Sequence, residues 1–281
     1  MPTSKYKQAG CAALLMVLFV AVYATSATGA FAQVASSSLT PLQLKIEKQR
    51  LRLNSTDEEE RRDAVSQLGA MQHPDASRAG VAGLQDASPS VRATAASSIL
   101  SLSGEEAAAS LIPLLSDKDD FVRREVAYAL GKTRSRSGVQ QLIEALLTDK
   151  QDGVRGAAAV ALGEIGDASA VPSLAAVLGS QSIETGSKKK SNSKKEQNPF
   201  VLRAAAHSLG QIGDRDAVPA LVAVLGNEKT EDDIRRESAG ALGLIGDPSA
   251  IPALRAAVTA TDPYLSKAAH EAIQAILKLK D

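Results

Sequence analysis

The chain is short of several things at once. It has one Cys in 281 residues, no Trp, four Phe and four Tyr. A single thiol excludes a disulfide framework and a cysteine-rich zinc site. Excess charge of either sign is also missing, since 32 Lys and Arg face 32 Asp and Glu. A protein whose main work is gripping nucleic-acid phosphates needs a net basic surface, and this one has none overall. No apolar run longer than the 14 residues Cys11 to Ala24 occurs, against about 20 for a bilayer crossing. What is abundant is aliphatic: 44% of residues are hydrophobic, and Ala supplies much of that. The apolar content is too high for intrinsic disorder. A chain cored by Ala, Leu and Val remains.

The N-terminus reads as an export signal. Lys5 and Lys7 precede the apolar run, and the small residues TSATGAFAQ follow it. Ala30-Phe31-Ala32 fits the small-x-small rule, which places cleavage before Gln33. Cys11 lies before the apolar run rather than after it, which argues against a lipoprotein. An uncleaved N-terminal anchor is the alternative. Cleavage would leave 30 basic and 32 acidic residues, net −2, and would remove the only Cys together with Tyr6, Phe19, Tyr23 and Phe31. A thiol-free mature chain suits an oxidising compartment. The expected location is periplasmic or secreted, with no stable membrane insertion after cleavage.

Self-comparison organises the rest. Residues 154–178 read VRGAAAVALGEIGDASAVPSLAAVL, and 201–225 and 234–258 repeat the pattern. Further copies start at Glu60, Val91, Val122 and Leu265. The "ALG" glycine falls at Gly69, Gly131, Gly163, Gly210 and Gly243, with Ser101 and Gln274 in its place in copies two and seven. Steps are 30 to 33 residues apart from one of 47. Within a copy, Val154, Ala158, Ala161, Leu162 and Ile165 recur at helical spacing. Gly166, Gly213 and Gly246 follow as left-handed helix stops, Asp167, Asp214 and Asp247 as turn residues, and Pro172, Pro219 and Pro252 as second-helix starters. Each copy is a helix–turn–helix that must stack to bury both faces.

The pattern V-R-x-x-A-x-x-A-L-G-x-I-G-D-x-x-A-V-P-x-L resembles HEAT repeats, and more closely the short HEAT-like subtype named after phycobilisome lyases. The resemblance covers residues 56–281. It implies an all-α fold: a right-handed α-solenoid, or superhelix, of about six and a half hairpins, with first helices outside and second helices lining a concave groove. Residues 33–55 are expected to form a linker and capping helix, because Thr40-Pro41-x-Gln43 is a capping signature. Residues 181–199 are expected to be an exposed, flexible Lys-rich insert.

A search for chemistry yields no constellation. His73, His207 and His270 lie apart, and no metal-ligand spacing, nucleotide-binding loop or nucleophile motif is present. No catalytic, cofactor-binding or metal-binding residue is therefore expected, and the chain is expected not to be an enzyme. Arg92, Arg123, Arg155 and Arg235 share one repeat position, and Asp86, Asp117 and Asp149 lie six residues before three of these positions. They are read as an Asp–Arg ladder tying the turn of one copy to the next. Phe121, Phe200 and Tyr264 share another position, and read either as a partner-anchoring ridge or as hydrophobic staples at helix starts. The groove floor is plain: Ser173 and Ala176, Ala220 and Ala223, Ala253 and Ala256, with Gln141 and Glu144 in an earlier copy. Such a floor admits a helix or an extended peptide.

The function expected is an exported HEAT-repeat scaffold that binds a protein or peptide through the groove or the aromatic edge. One alternative is an enzyme like the phycobilin lyases, which the export signal disfavours. The other is a nucleic-acid-binding array, which the net −2 charge disfavours.

Overall fold

The computed structural model describes residues 39–179 and 198–278. The export segment 1–32 and most of the Lys-rich insert lie outside the described residues. The chain divides into two compact units, Met1–Lys48 and Gln49–Asp281. In the first, the start of α1 (Pro41–Arg52) is fixed by a reciprocal capping box. The Gln43 amide N–H donates to Thr40 Oγ1 at 3.2 Å, and the Thr40 N–H donates to Gln43 Oε1 at 2.9 Å.

The second unit is an α-solenoid, and no strand occurs among the described residues. Copies one to seven are α2 (Glu58–Ala70) with α3 (Pro74–Gly80), α4 (Pro89–Ser98) with α5 (Gly104–Leu111), α6 (Asp120–Thr133) with α7 (Val139–Thr148), α8 (Asp152–Ile165) with α9 (Val171–Gly179), α10 (Pro199–Ile212) with α11 (Val218–Gly226), α12 (Asp232–Ile245) with α13 (Ile251–Ala257), and α14 (Pro263–Lys278) alone. Each first helix packs on the first helices before and after it, and each second helix packs on the first helix of the copy that follows. One continuous core of Leu, Val, Ile and Ala results.

Local chemistry explains the elements. Gly166, Gly213 and Gly246 end α8, α10 and α12 at φ of +72°, +74° and +74°, a conformation that glycine adopts without a Cβ penalty. Asp167, Asp214 and Asp247 then accept from the backbone N–H two residues on, at 2.8–2.9 Å. A single 3-10 turn follows in each copy (168–170, 215–217, 248–250), and the Pro sits at the second position of the helix after it. These 3-10 turns are an addition to the sequence reading.

The repeated glycine inside five of the first helices has a different cause. It stands where adjacent first helices cross. A methyl group added to Gly210 would lie 2.7 Å from Ala241 Cα, and one added to Gly163 would lie 2.8 Å from Ser208 Cα. The facing residue is small in each case: Ser98, Ala161, Ser208, Ala241 and Ala272.

Three boundaries differ from the sequence reading. In copy one the second helix stops at Gly80 and continues as a 3-10 turn, Val81–Gln85, and copy two does the same after Leu111, over Ile112–Ser116. In copy two, α4 ends at Ser98, so Ser101 lies beyond the helix rather than at the glycine position. Asn198 and Pro199, assigned to the insert, are the N-cap and first residue of α10: Asn198 Oδ1 accepts from the Phe200 N–H at 2.9 Å. Stacking continues directly across the insert, since Ser208 Oγ donates to the Ala159 carbonyl at 2.8 Å.

Candidate functional site

The second helices carry one open face in register. Leu174, Leu221 and Leu254 are buried beneath it. Pro172 and Ala176, Pro219 and Ala223, and Pro252 and Ala256 are exposed at matching positions of α9, α11 and α13. Ser173, Ala220 and Ala253 are half-buried between them. On α7 the same positions hold Gln141, half-buried, and Glu144, exposed. Gln141 Oε1 is buried without a hydrogen-bond partner among the described residues. The face is thus apolar over α9 and α11, carries the exposed Arg255 beside Ala256 on α13, and is polar on α7.

The aromatic column occupies the seam between first helices. Phe121, Phe200 and Tyr264 are 45%, 39% and 67% exposed. They are not staples of the usual kind, which precede the N-cap. Each is the second residue of its helix, and its own N–H donates to the cap side chain of Asp119, Asn198 or Asp262. The seam shows why aromatics alternate with small or acidic residues. The Phe200 ring lies on Gly156, where an added methyl would stand 2.0 Å from Cε1. Tyr264 stacks on Arg236 of the preceding copy, with the guanidinium carbon 5.7 Å from the ring centroid. Gly153, in the same column, lies beside Arg124, where an added methyl would stand at an ordinary 3.7 Å from Cδ, and Asp233 pairs with Arg203. Phe121 instead carries Arg124 of its own helix at 5.0 Å. This size compensation is pairwise between neighbours, which a single-column reading misses.

The Asp and Arg residues do meet, with a different pairing from the six-residue spacing. Arg92 donates to both carboxylate oxygens of Asp117 at 2.8 Å, and Arg123 to those of Asp149 at 2.7 and 3.1 Å. Asp86 is held in the same way by Arg61 at 2.7 and 2.9 Å. Arg61 was missed in the sequence, although ERRDAV puts it in the arginine column. The aspartate six residues before an arginine contributes its backbone: the Asp86 carbonyl accepts from Arg92, and the Asp117 carbonyl from Arg123. Arg155 and Arg235 turn to Asp152 and Asp232 of their own helices, and Arg235 also reaches the Leu225 carbonyl at 3.1 Å.

The rungs are largely buried; the Arg92 and Asp117 side chains are 8% and 11% exposed. Hydrogen bonds from Arg61 lower the Asp86 carboxyl below the usual range. Burial pushes Asp117 and Asp149 up, but the arginine hydrogen bonds, backbone N–H donors and nearby positive charge outweigh it. Both also titrate low.

Nine ion pairs between copies, all among the described residues, share one direction. In Arg61–Asp86, Arg92–Asp117, Arg123–Asp149, Arg78–Glu106, Lys132–Glu164, Arg136–Asp167, Arg203–Asp233, Arg215–Asp247 and Arg236–Asp262, the cation comes from the earlier copy. His207 and Glu237 lie 2.6 Å apart with the same orientation. His73 caps α3 by accepting from the Asp75 N–H, and His270 is exposed. Among the described residues no group of three His, Cys, Asp or Glu is placed to hold a metal ion, and no helix is long and apolar enough to cross a membrane.

The stacked hairpins, glycine crossings and inter-copy ladder define the architecture, and comparison with known families names it. The HEAT-repeat pattern matches residues 47–131, 108–185 and 193–276, which is most of the sequence. The chain belongs to the HEAT-repeat family. No curated protein is a significant sequence match to it. Among solved structures, this HEAT array is similar to YibA of Escherichia coli, at 20% identity over 84% of this chain and 82% of that one, with a TM-score of 0.57. It is also similar to the CpcE–CpcF complex of a phycocyanin lyase from Nostoc sp. PCC7120 (23%, 87% and 89%, 0.49) and to human deoxyhypusine hydroxylase (22%, 83% and 84%, 0.41). At these identities the likeness shows the fold alone. It still corrects one expectation, that the chain is not an enzyme: a lyase complex and a hydroxylase are among the solved structures similar to it. The lack of a recognisable catalytic motif therefore does not make the chain a non-enzyme.

Proposed function

We propose that this HEAT array is an exported scaffold that binds a protein or peptide partner along its second-helix face. The observation that carries the reading is the exposed Pro/Ala register of α9, α11 and α13, which repeats at the same height in three consecutive copies. Binding of one partner across several copies needs such a register, because each copy then offers the same contact. The short HEAT-like subtype, seen in the spacing of VRGAAAVALGEIGDASAVPSL, fits the same role. Nucleic acid is not the partner expected of a mature chain with net charge −2.

The test is site-specific photocrosslinking in the native cell envelope, with the crosslinker at Ala176, Ala223 or Ala256, and at exposed Ser97 of a first helix as control. The expected result is one shared adduct from the three second-helix sites, lost on Ala223→Glu with the helical circular dichroism unchanged. Adducts no stronger than at Ser97 would overturn the reading. Export is tested separately by the N-terminal sequence of the native protein, expected to begin at Gln33.

A further inference from the structure

The turn that closes α6 departs from the repeat. Copies four, five and six use Gly-Asp, whereas copy three has Arg134-Ser135 inside Lys-Thr-Arg-Ser-Arg-Ser. The left-handed backbone is kept all the same, with φ of +53° at Arg134. An L side chain is disfavoured there, and glycine would relieve the strain. The three cations of this turn are used unequally. Lys132 binds Glu164, and Arg136 lies 3.3 Å from Asp167, both acids belonging to copy four. The Arg134 side chain is exposed and has no hydrogen bond or ion pair among the described residues. Lys132, in the last turn, already answers the negative end of the α6 dipole.

Arg134 lines an open groove of about 770 Å³ that runs past the C-terminal ends of α6, α8, α10 and α12. Lys132, Glu164 and Gln211 follow along it, and Leu244, 63% exposed, closes the far end. Three cations against Glu164 and Asp167 leave the Arg134 end net positive. We propose that this groove receives an extended acidic peptide segment of a partner protein, with a carboxylate on the fork of Arg134 and an apolar side chain on Leu244. A guanidinium suits a carboxylate bidentately. Three interhelical steps of about 8–10 Å separate the two anchors, a distance spanned by roughly eight residues of extended chain. This surface is distinct from the second-helix face and does not depend on it.

The test is fluorescence anisotropy of the full chain with a labelled ten-residue peptide bearing Glu at its first two positions and Leu at its ninth. Wild type is expected to bind it at least tenfold more tightly than the same peptide with Gln for Glu. Arg134→Gly is expected to weaken binding tenfold or more while raising the thermal midpoint by roughly 2–4 °C, the shift for relieving one strained residue in a domain of this size. Arg62→Gln, which removes the same charge from copy one, is expected to leave affinity unchanged. Equal binding of the Glu and Gln peptides, or unchanged affinity in Arg134→Gly, would overturn the proposal. Displacement of the peptide by millimolar inorganic phosphate but not by millimolar acetate would also overturn it, by reassigning the turn to free phosphate.

Discussion

Gly210 and Gly240 lie 30 residues apart in neighbouring first helices, yet the same substitution acts on them in opposite directions. At Gly210 an added methyl meets Ala241 Cα at 2.7 Å and Ala241 Cβ at 2.9 Å, and helix backbone cannot swing aside as a side-chain tip does. Gly210→Ala is expected to cost about 1–3 kcal/mol through overpacking. At Gly240 nothing lies within 4 Å and the backbone is helical. Gly240→Ala is expected to gain about 0.4–1 kcal/mol by restricting the unfolded chain. Urea unfolding of the two variants checks the pair, and a shared sign would refute the crossing role of Gly210. Both residues read alike in the sequence, as glycine in an Ala-rich helix. Only the repeat column marks Gly210, and only the helix crossing says why.

Between elements, the rungs Arg61–Asp86, Arg92–Asp117 and Arg123–Asp149 fasten α2 to the start of copy two, α4 to copy three and α6 to copy four. Asp117→Ala leaves the Arg92 guanidinium buried without its partner, at a cost on the order of 3 kcal/mol. Hydrogen exchange is expected to quicken first in α4 and α6; uniform quickening over all helices would count against a local rung. The three carboxyls titrate below their ordinary values in the folded chain. Their contribution is therefore fully present above about pH 4, the unfolded value, and is lost as pH falls through the folded values. Acid is expected to open copies one to four before copies five to seven, as followed by exchange at pH 3 and pH 6. The repeat period and the hairpins were legible because the same chemistry recurs every 30 to 33 residues. The true partner of each aspartate was not. A six-residue spacing and one of 25 or 26 residues both recur, and only the backbone decides that the near aspartate offers its carbonyl and the far one its carboxylate. The Phe200–Gly156 fit was hidden for a related reason: it links two columns of different copies.

For the whole molecule, the insert is the natural place to ask what the array tolerates. The α8–α10 seam is made by Gly163 against Ser208, Phe200 on Gly156, and Asn198 Nδ2 donating to Asp152 at 3.1 Å, none of which draws on residues 181–197. Replacing 181–197 with a short turn copied from 149–151 is expected to leave the thermal midpoint within about 3 °C. Loop length enters stability only logarithmically, about 0.6 kcal/mol per doubling. A fall of 10 °C or more in a calorimetric scan would show that the insert holds the seam together.

The one-way ion pairs have a consequence for how such a chain can grow. Copies two, three and six each reach forward with a cation and are reached from behind at an anion, as Arg92 and Asp86 do in copy two. A tandem duplication of one of these copies therefore brings its own matched ends: the new unit finds an acid ahead and a base behind without any further mutation. The grammar of the pairs favours lengthening by whole units, read in one direction.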